Sequence, residues 1–188
     1  YVATVPHLKP LCEAHLPQLA PENIVAEPHK RNTMGCLVWF FATLLSKFPD
    51  AAETTTLTVL SADHLIEPQA DFLATVEACF EAVESNGGVL NVGIPPTRPE
   101  TGYGYLQIDS AATPMGTEKV KVWPLKLTVE KPDRATAEAY VASGDFLWSS
   151  GIFFYTVKGF LKEMQMASPE HYAATFELAE LLRAGNVE

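Results

Sequence analysis

The sequence lacks a glycine-rich phosphate loop, any CxxC or Cys/His cluster, and any hydrophobic run of membrane-spanning length. Each absence removes a class of protein. The three cysteines, Cys12, Cys36 and Cys79, are odd in number and far apart, which argues against a disulfide framework or a structural zinc site. They read as reduced thiols of a cytoplasmic protein. The longest apolar stretch, Gly35 to Leu45 with Thr43 inside it, falls short of the ~20 residues a bilayer requires and reads as a buried helix. Nothing at the N-terminus reads as a signal peptide, and no membrane partner is expected. Basic residues are scarce: 13 Lys and Arg stand against 23 Asp and Glu, for a net charge of -10. That balance argues against a nucleic acid polymer as partner. It leaves room for a small anionic substrate, which local cations and helix ends can hold.

What is present is a chain of 188 residues, 47% hydrophobic, enough for one globular domain over 1–188. β-Branched apolar runs alternate with helical patterns. Strands are expected at Val2–Val5, Asn23–Ala26, Thr55–Leu60, Val89–Ile94, Tyr103–Ile108, Val120–Val129 and Ile152–Thr156. Helices are expected at His7–Leu16, Asn32–Phe48, Pro68–Ser85, from the Asp133 cap to Ala142, Lys158–Ala167 and Pro169–Ala184. Asn32 or Thr33 is a candidate cap for the second helix. The alternation predicts an α/β fold: a Rossmann-like, mainly parallel sheet flanked by helices.

Short motifs sit at the ends of these elements. Asp63, in Ser61-Ala62-Asp63-His64, follows a strand, and ligands of α/β sheets collect at strand ends. Its carboxylate is either a turn residue or a ligand for magnesium, which takes one or two carboxylates plus phosphate oxygens. His64 has no visible partner and reads as structural. In Pro99-Glu100-Thr101-Gly102-Tyr103-Gly104-Tyr105, backbone can approach a ligand, and the amides of Gly102 or Gly104 can bond sugar hydroxyls. The other reading is a turn with exposed tyrosines. Glu130-Lys131-Pro132 offers a carboxylate for vicinal hydroxyls and an ammonium for phosphate, or a plain surface ion pair. Arg31, at the start of a helix, can meet an anion or a base edge.

In order and wording these motifs resemble those of mannose-1-phosphate guanylyltransferases, sugar nucleotidyltransferases that make GDP-mannose from GTP and mannose 1-phosphate. The resemblance runs from Glu27-Pro-His-Lys-Arg-Asn-Thr through Asp63 and Glu100-Thr-Gly-Tyr-Gly-Tyr to Val-Glu130-Lys-Pro-Asp and Trp148-Ser-Ser-Gly151, almost the whole chain. It implies a nucleotide-diphospho-sugar transferase fold, with Asp63 on the catalytic magnesium and Lys131 near the sugar phosphate. It implies that Gly104 and Glu130 bond mannose, with Gly102 and Ser149 beside them, and that Glu27, Arg31 and Asn32 lie on the guanosine side. The reaction implied needs no covalent enzyme intermediate.

The chain departs from the family pattern in places. The family's opening strand and Arg-Leu-Trp-Pro loop are not in this sequence, nor is a further metal-binding aspartate. Where the family has Trp-Asn-Ser-Gly, this chain has Trp148-Ser149-Ser150-Gly151, so a hydroxyl replaces an amide. Arg31-Asn-Thr is followed by Met-Gly-Cys36 instead of Ala-Pro-Ala. The expectation is an incomplete chain, the central part of a nucleotidyltransferase domain, prone to associate and working as a homo-oligomer. The alternatives are a non-catalytic binding or regulatory module, or a related sugar-nucleotide pyrophosphorylase.

Overall fold

The computed structural model describes residues 1–116 and 120–186. In chain order the elements are β1 (Val2–Thr4), α1 (Lys9–His15), a 3-10 turn (Pro21–Asn23), β2 (Ile24–Ala26), α2 (Asn32–Lys47), α3 (Ala51–Thr54), β3 (Thr56–Val59) and α4 (Gln69–Asn86). Then follow β4 (Val89–Ile94), β5 (Gly104–Ile108), β6 (Met115–Gly116), β7 (Lys121–Val122), β8 (Leu125–Glu130), α5 (Arg134–Ser143), β9 (Phe146–Thr156), α6 (Val157–Ala167) and α7 (Pro169–Arg183). They group into two compact units: Tyr1–Thr55 with the segment from Phe160 onward, and Thr56–Gly159.

In the first unit β1 and β2 pair in parallel, from Val2 opposite Ile24 to Thr4 opposite Ala26. The apolar residues of α2 recur at helical spacing, and the helix buries Val38, Phe41, Ala42, Leu44 and Leu45. It packs against α7, which buries Thr175 and Ala179. Phe41 is fully buried and stacks on Phe160 with ring centres 5.1 Å apart. Arg183 Nη2 donates to the Leu45 carbonyl at 3.2 Å, satisfying an acceptor near the end of α2.

The second unit is built on a five-stranded sheet centred on β9. β4 runs along one edge of β9, while β3 and β5 share the other edge at opposite ends. β8 pairs with the outer edge of β5. Every pairing in this sheet is antiparallel, which corrects the expectation of a mainly parallel sheet. The physical reason is insertion. The crossover helix α4 does return the chain so that β3 and β4 run in the same direction, as alternation implies. The reversed strand β9 then lies between them and takes both ladders.

Two clusters fill the core of this unit. Cys79 and Val83 of α4 meet Ile152 and Phe154 of β9, and Phe80 stands edge-on to Phe154 at 5.1 Å. Ala137 of α5 meets Tyr105, Phe146 and Trp148, and Tyr140 stacks on Phe146 at 3.8 Å. Asp133 caps α5, accepting from the Thr136 amide at 2.8 Å, as its sequence position implies.

Other boundaries differ from expectation. The run Val120–Val129 is split at Trp123-Pro124 into β7 and β8, because proline has no N–H to give to a ladder. β9 begins at Phe146 rather than Ile152, its first half disguised by Ser149, Ser150 and Gly151. Neither Asn32 nor Thr33 caps α2: Arg31 holds the cap position without a side-chain bond, and Asn32 is left-handed with φ 57.

Phe154→Ala is expected to destabilise the protein by about 3–5 kcal/mol, the cost of emptying a fully packed aromatic site. Leu65→Ala, at a residue 88% exposed, is expected to change stability by less than about 0.5 kcal/mol. Denaturant melts of the two variants provide the comparison.

Candidate functional site

In the second unit, Gly104 opens β5 opposite Glu130, the last residue of β8. The Lys131 amide donates to the Tyr103 carbonyl at 3.1 Å, so Gly104 and Glu130 form the closer, non-hydrogen-bonded kind of antiparallel pair. A Cβ on Gly104 would lie 2.9 Å from Glu130 Oε2 and 3.4 Å from the Ser149 Cβ. The missing side chain is what lets the Glu130 carboxylate of β8 and the Ser149 side chain of β9 approach one point. From the far edge of β9, Asn91 Nδ2 donates to Ser149 Oγ at 2.8 Å. Lys131, with left-handed φ 47, places its ammonium 3.3 Å from Glu130 Oε1.

The loop before Gly104 is organised around Glu100. Its carboxylate accepts from the Thr101 amide at 3.0 Å, the Gly102 amide at 3.1 Å and Arg98 Nε at 3.2 Å. The Gly102 amide is therefore engaged within the loop. The Tyr105 hydroxyl donates to the Glu100 carbonyl at 2.8 Å. Arg98 lies over the Trp148 ring at 5.4 Å, and Tyr103 meets the same ring edge-on at 5.3 Å. The Gly102 amide, then Arg98, hold the Glu100 carboxyl below its ordinary range, with the Thr101 amide adding to them against the opposing effect of burial.

Asp63 is exposed in the turn after β3. The same segment contributes Ser61 and His64 to a cavity of about 900 Å³ that also involves Glu67, Phe72 and Ile152. Among the described residues no group of three or more His, Cys, Asp and Glu is arranged to hold a metal ion. The donor chemistry of Asp63 fits a hard cation that takes its remaining ligands from water and substrate oxygens.

The first unit carries Glu27, Arg31 and Asn32. Glu27 follows β2, its amide bonded to the Thr4 carbonyl at 2.9 Å. The residue is 8% exposed, and its Oε2 is buried with no hydrogen-bond partner among the described residues. Burial first, then the neighbouring Glu27, push the Cys36 thiol above its ordinary value. Arg31 and Asn32 are exposed at the start of α2.

The structure thus brings Gly104, Glu130, Ser149 and Lys131 together, and sets Glu27 beside the start of α2. Asn91 is the residue that sequence reading passes over. Its signal is a lone amide in the apolar strand Val89-Leu-Asn-Val-Gly-Ile94.

These features define a mixed α/β protein with a helix-flanked sheet and polar side chains converging at strand ends. Residues 1–185 match the nucleotidyl transferase family, and the chain belongs to that family. It is 32% identical over 156 residues to a mannose-1-phosphate guanylyltransferase of Escherichia coli, covering 83% of this chain and 32% of that protein. It is 36% identical over 155 residues to the alginate biosynthesis protein AlgA of Pseudomonas aeruginosa, covering 82% of this chain and 30% of that protein. Among solved structures, the mannose-1-phosphate geranyltransferase of Thermus thermophilus superposes with a TM-score of 0.77 at 26% identity, covering 97% of this chain and 48% of that one. The chain spans about a third of the length of the curated relatives it matches.

Because the folded state holds the Glu100 carboxyl low, the order it gives the loop is complete above the ordinary value of 4.5 and is lost as pH falls through the folded value. With Trp39 and Trp123 replaced by Phe, Trp148 emission is expected to change on acidification below about pH 4.5. In Glu100→Gln that acid transition should vanish; a transition that persists would assign it to another group.

Proposed function

We propose that this chain belongs to an enzyme that forms GDP-mannose and pyrophosphate from GTP and mannose 1-phosphate. The observation that carries the reading is the meeting of Gly104, Glu130 and Ser149 at one point of the second unit. A carboxylate and a hydroxyl flanking bare backbone suit the vicinal hydroxyls of a sugar. The family match and the similarity to proteins named mannose-1-phosphate guanylyltransferase support the same choice of reaction.

A phosphate oxygen of mannose 1-phosphate attacks the α-phosphorus of GTP in line. The new P–O bond forms as the bond to the β-phosphate oxygen breaks, and pyrophosphate leaves with the electron pair. The protein's part is positioning and charge complementarity. Glu130 accepts hydrogen bonds from mannose hydroxyls, Ser149 and the Gly104 backbone complete the sugar contact, and Lys131 faces the sugar phosphate. In the first unit, the unpartnered Glu27 oxygen suits the N–H groups of a guanine edge, with Arg31 and Asn32 beside it. Asp63 would hold magnesium, which when bound neutralises charge on the phosphate oxygens. The setting we infer is the cytoplasm. Self-association belongs to the same reading, since Leu60, Leu65 and Leu73 expose apolar surface.

The test is pyrophosphate release from GTP, mannose 1-phosphate and magnesium, using the full-length product of the gene that encodes this chain. Activity is expected, and competition with other nucleotides and sugar phosphates should leave guanine and mannose preferred. GDP-mannose binding without turnover would select a non-catalytic module instead. Gly104→Ala is expected to raise the KM for mannose 1-phosphate by about tenfold or more, since its methyl would push the Glu130 carboxylate aside, with the KM for GTP little changed. Equal effects on both substrates would remove Gly104 from the sugar site.

A further inference from the structure

We infer that Asn91 is a positioning and specificity-determining residue of the sugar site, setting Ser149 as a hydrogen-bond donor to the sugar. The inference rests on the reading of the second unit as a mannose 1-phosphate site. Four adjacent strands of the sheet carry these residues: Asn91 on β4, Ser149 on β9, Gly104 on β5 and Glu130 on β8.

The register explains how Asn91 reaches Ser149. Asn91 is opposite Phe153, but the ladder shifts before Gly93, which falls opposite Ser149. Gly93 presents no side chain there and the Leu147 side chain packs over it; Asn91 reaches Ser149 along the diagonal, within the span of an amide side chain. The resulting bond, Nδ2 to Oγ at 2.8 Å, is made in one direction. An amide N–H can only donate, so the Ser149 oxygen is the acceptor, and its own proton is left to be given to another group.

That direction matters for what the site selects. The Glu130 carboxylate, when ionised, can only accept. With Ser149 fixed as a donor, the pair offers one acceptor and one donor on the two sides of Gly104. A sugar hydroxyl placed between them donates to Glu130 and accepts from Ser149. Only a hydroxyl of the right configuration meets both, so Asn91 acts on sugar choice without touching the reacting phosphates.

A second observation separates this role from a structural one. The other end of the same amide, Asn91 Oδ1, is buried with no partner among the described residues. A buried acceptor without a partner costs stability, so an apolar residue of the same shape would serve the fold as well or better. Keeping asparagine there is explained by its bond to Ser149.

The experiment compares wild type, Asn91→Leu, Ser149→Ala and the double variant in the full-length gene product. It measures KM for each substrate by pyrophosphate release, GDP-mannose binding by calorimetry, and the melting temperature. Asn91→Leu is expected to raise the KM for mannose 1-phosphate about tenfold, leave the KM for GTP unchanged and melt no lower than wild type. The double variant should be no worse than Ser149→Ala alone, because Asn91 acts through Ser149. Additive losses, equal effects on both substrates, no effect, or a lowered melt or failure to fold in Asn91→Leu would overturn the inference. A wild type that neither turns over nor binds GDP-mannose would fail the sugar-site reading itself, and this inference with it. An active wild type with unaltered variants would fail the inference alone.

Discussion

The second unit depends on β9 being hydrogen-bonded along both edges. Phe153 to Tyr155 lie between β3 and β4, and Trp148 lies between β4 and β5. Without this strand, β3 and β4 would have no partner in the sheet, and β5 with β8 would remain as an isolated pair, marginal in water. The same strand supplies both core clusters, through Ile152 and Phe154 in its second half and Phe146 and Trp148 in its first. Burial of such side chains is worth about 1.5–3 kcal/mol each, so the ladder and the core reinforce each other on one segment. Reversal of β9 relative to its neighbours also explains how a chain that alternates strand and helix ends in an antiparallel sheet.

β9 changes character along its length. Its second half is apolar and anchors the unit; its first half carries Ser149, Ser150 and Gly151 and turns one stretch of the sheet polar. Polar atoms left buried and unpaired cost about 1–3 kcal/mol apiece. Asn91 Oδ1 and Trp148 Nε1 are both in that condition, and both belong to residues at or next to Ser149. Glu27 Oε2 is in the same condition in the first unit. Their cost in stability marks both places as ones where something other than packing determines the residue type. Gly104 fits the same logic: a side chain there would fill the point that Glu130 and Ser149 share.

Most helices and strands were legible in the sequence because their apolar periodicity is strong, as in α2 and α4, or because a local device marks them, as Asp133 marks α5. The pairing of strands was not legible. Alternation reports that α4 links two strands running the same way, but not that a strand distant in sequence lies between them. The first half of β9 was hidden because small polar residues carry no alternation of hydrophobicity. At the candidate site, Gly104 and Glu130 could be found from the motifs that contain them, since each motif ends a strand. Asn91 could not, because its importance comes from a register shift and a diagonal contact that no local pattern encodes. That the Glu100 carboxylate holds the Gly102 amide was likewise not legible from the motif alone.

The charge pattern raises the question of how a chain with a net charge of -10 would receive two polyanions. Its cations near the candidate site are already engaged: Arg98 with Glu100 and the Trp148 face, and Lys131 with Glu130. The two engagements differ in kind. Arg98 is held at once by a carboxylate and a ring, in a loop that backbone bonds to Glu100 also fix, so moving it would undo several contacts together. Lys131 and Glu130 are 65% and 70% exposed, and such a pair is worth about 0–1 kcal/mol. Breaking it costs little. Under the proposed function, a sugar phosphate arriving beside Glu130 would take the ammonium for its phosphate and leave the carboxylate for its hydroxyls. On the proposed reading both groups would acquire partners at once on binding, which would let a locally neutral pair in an acidic protein accept an anion without a basic surface.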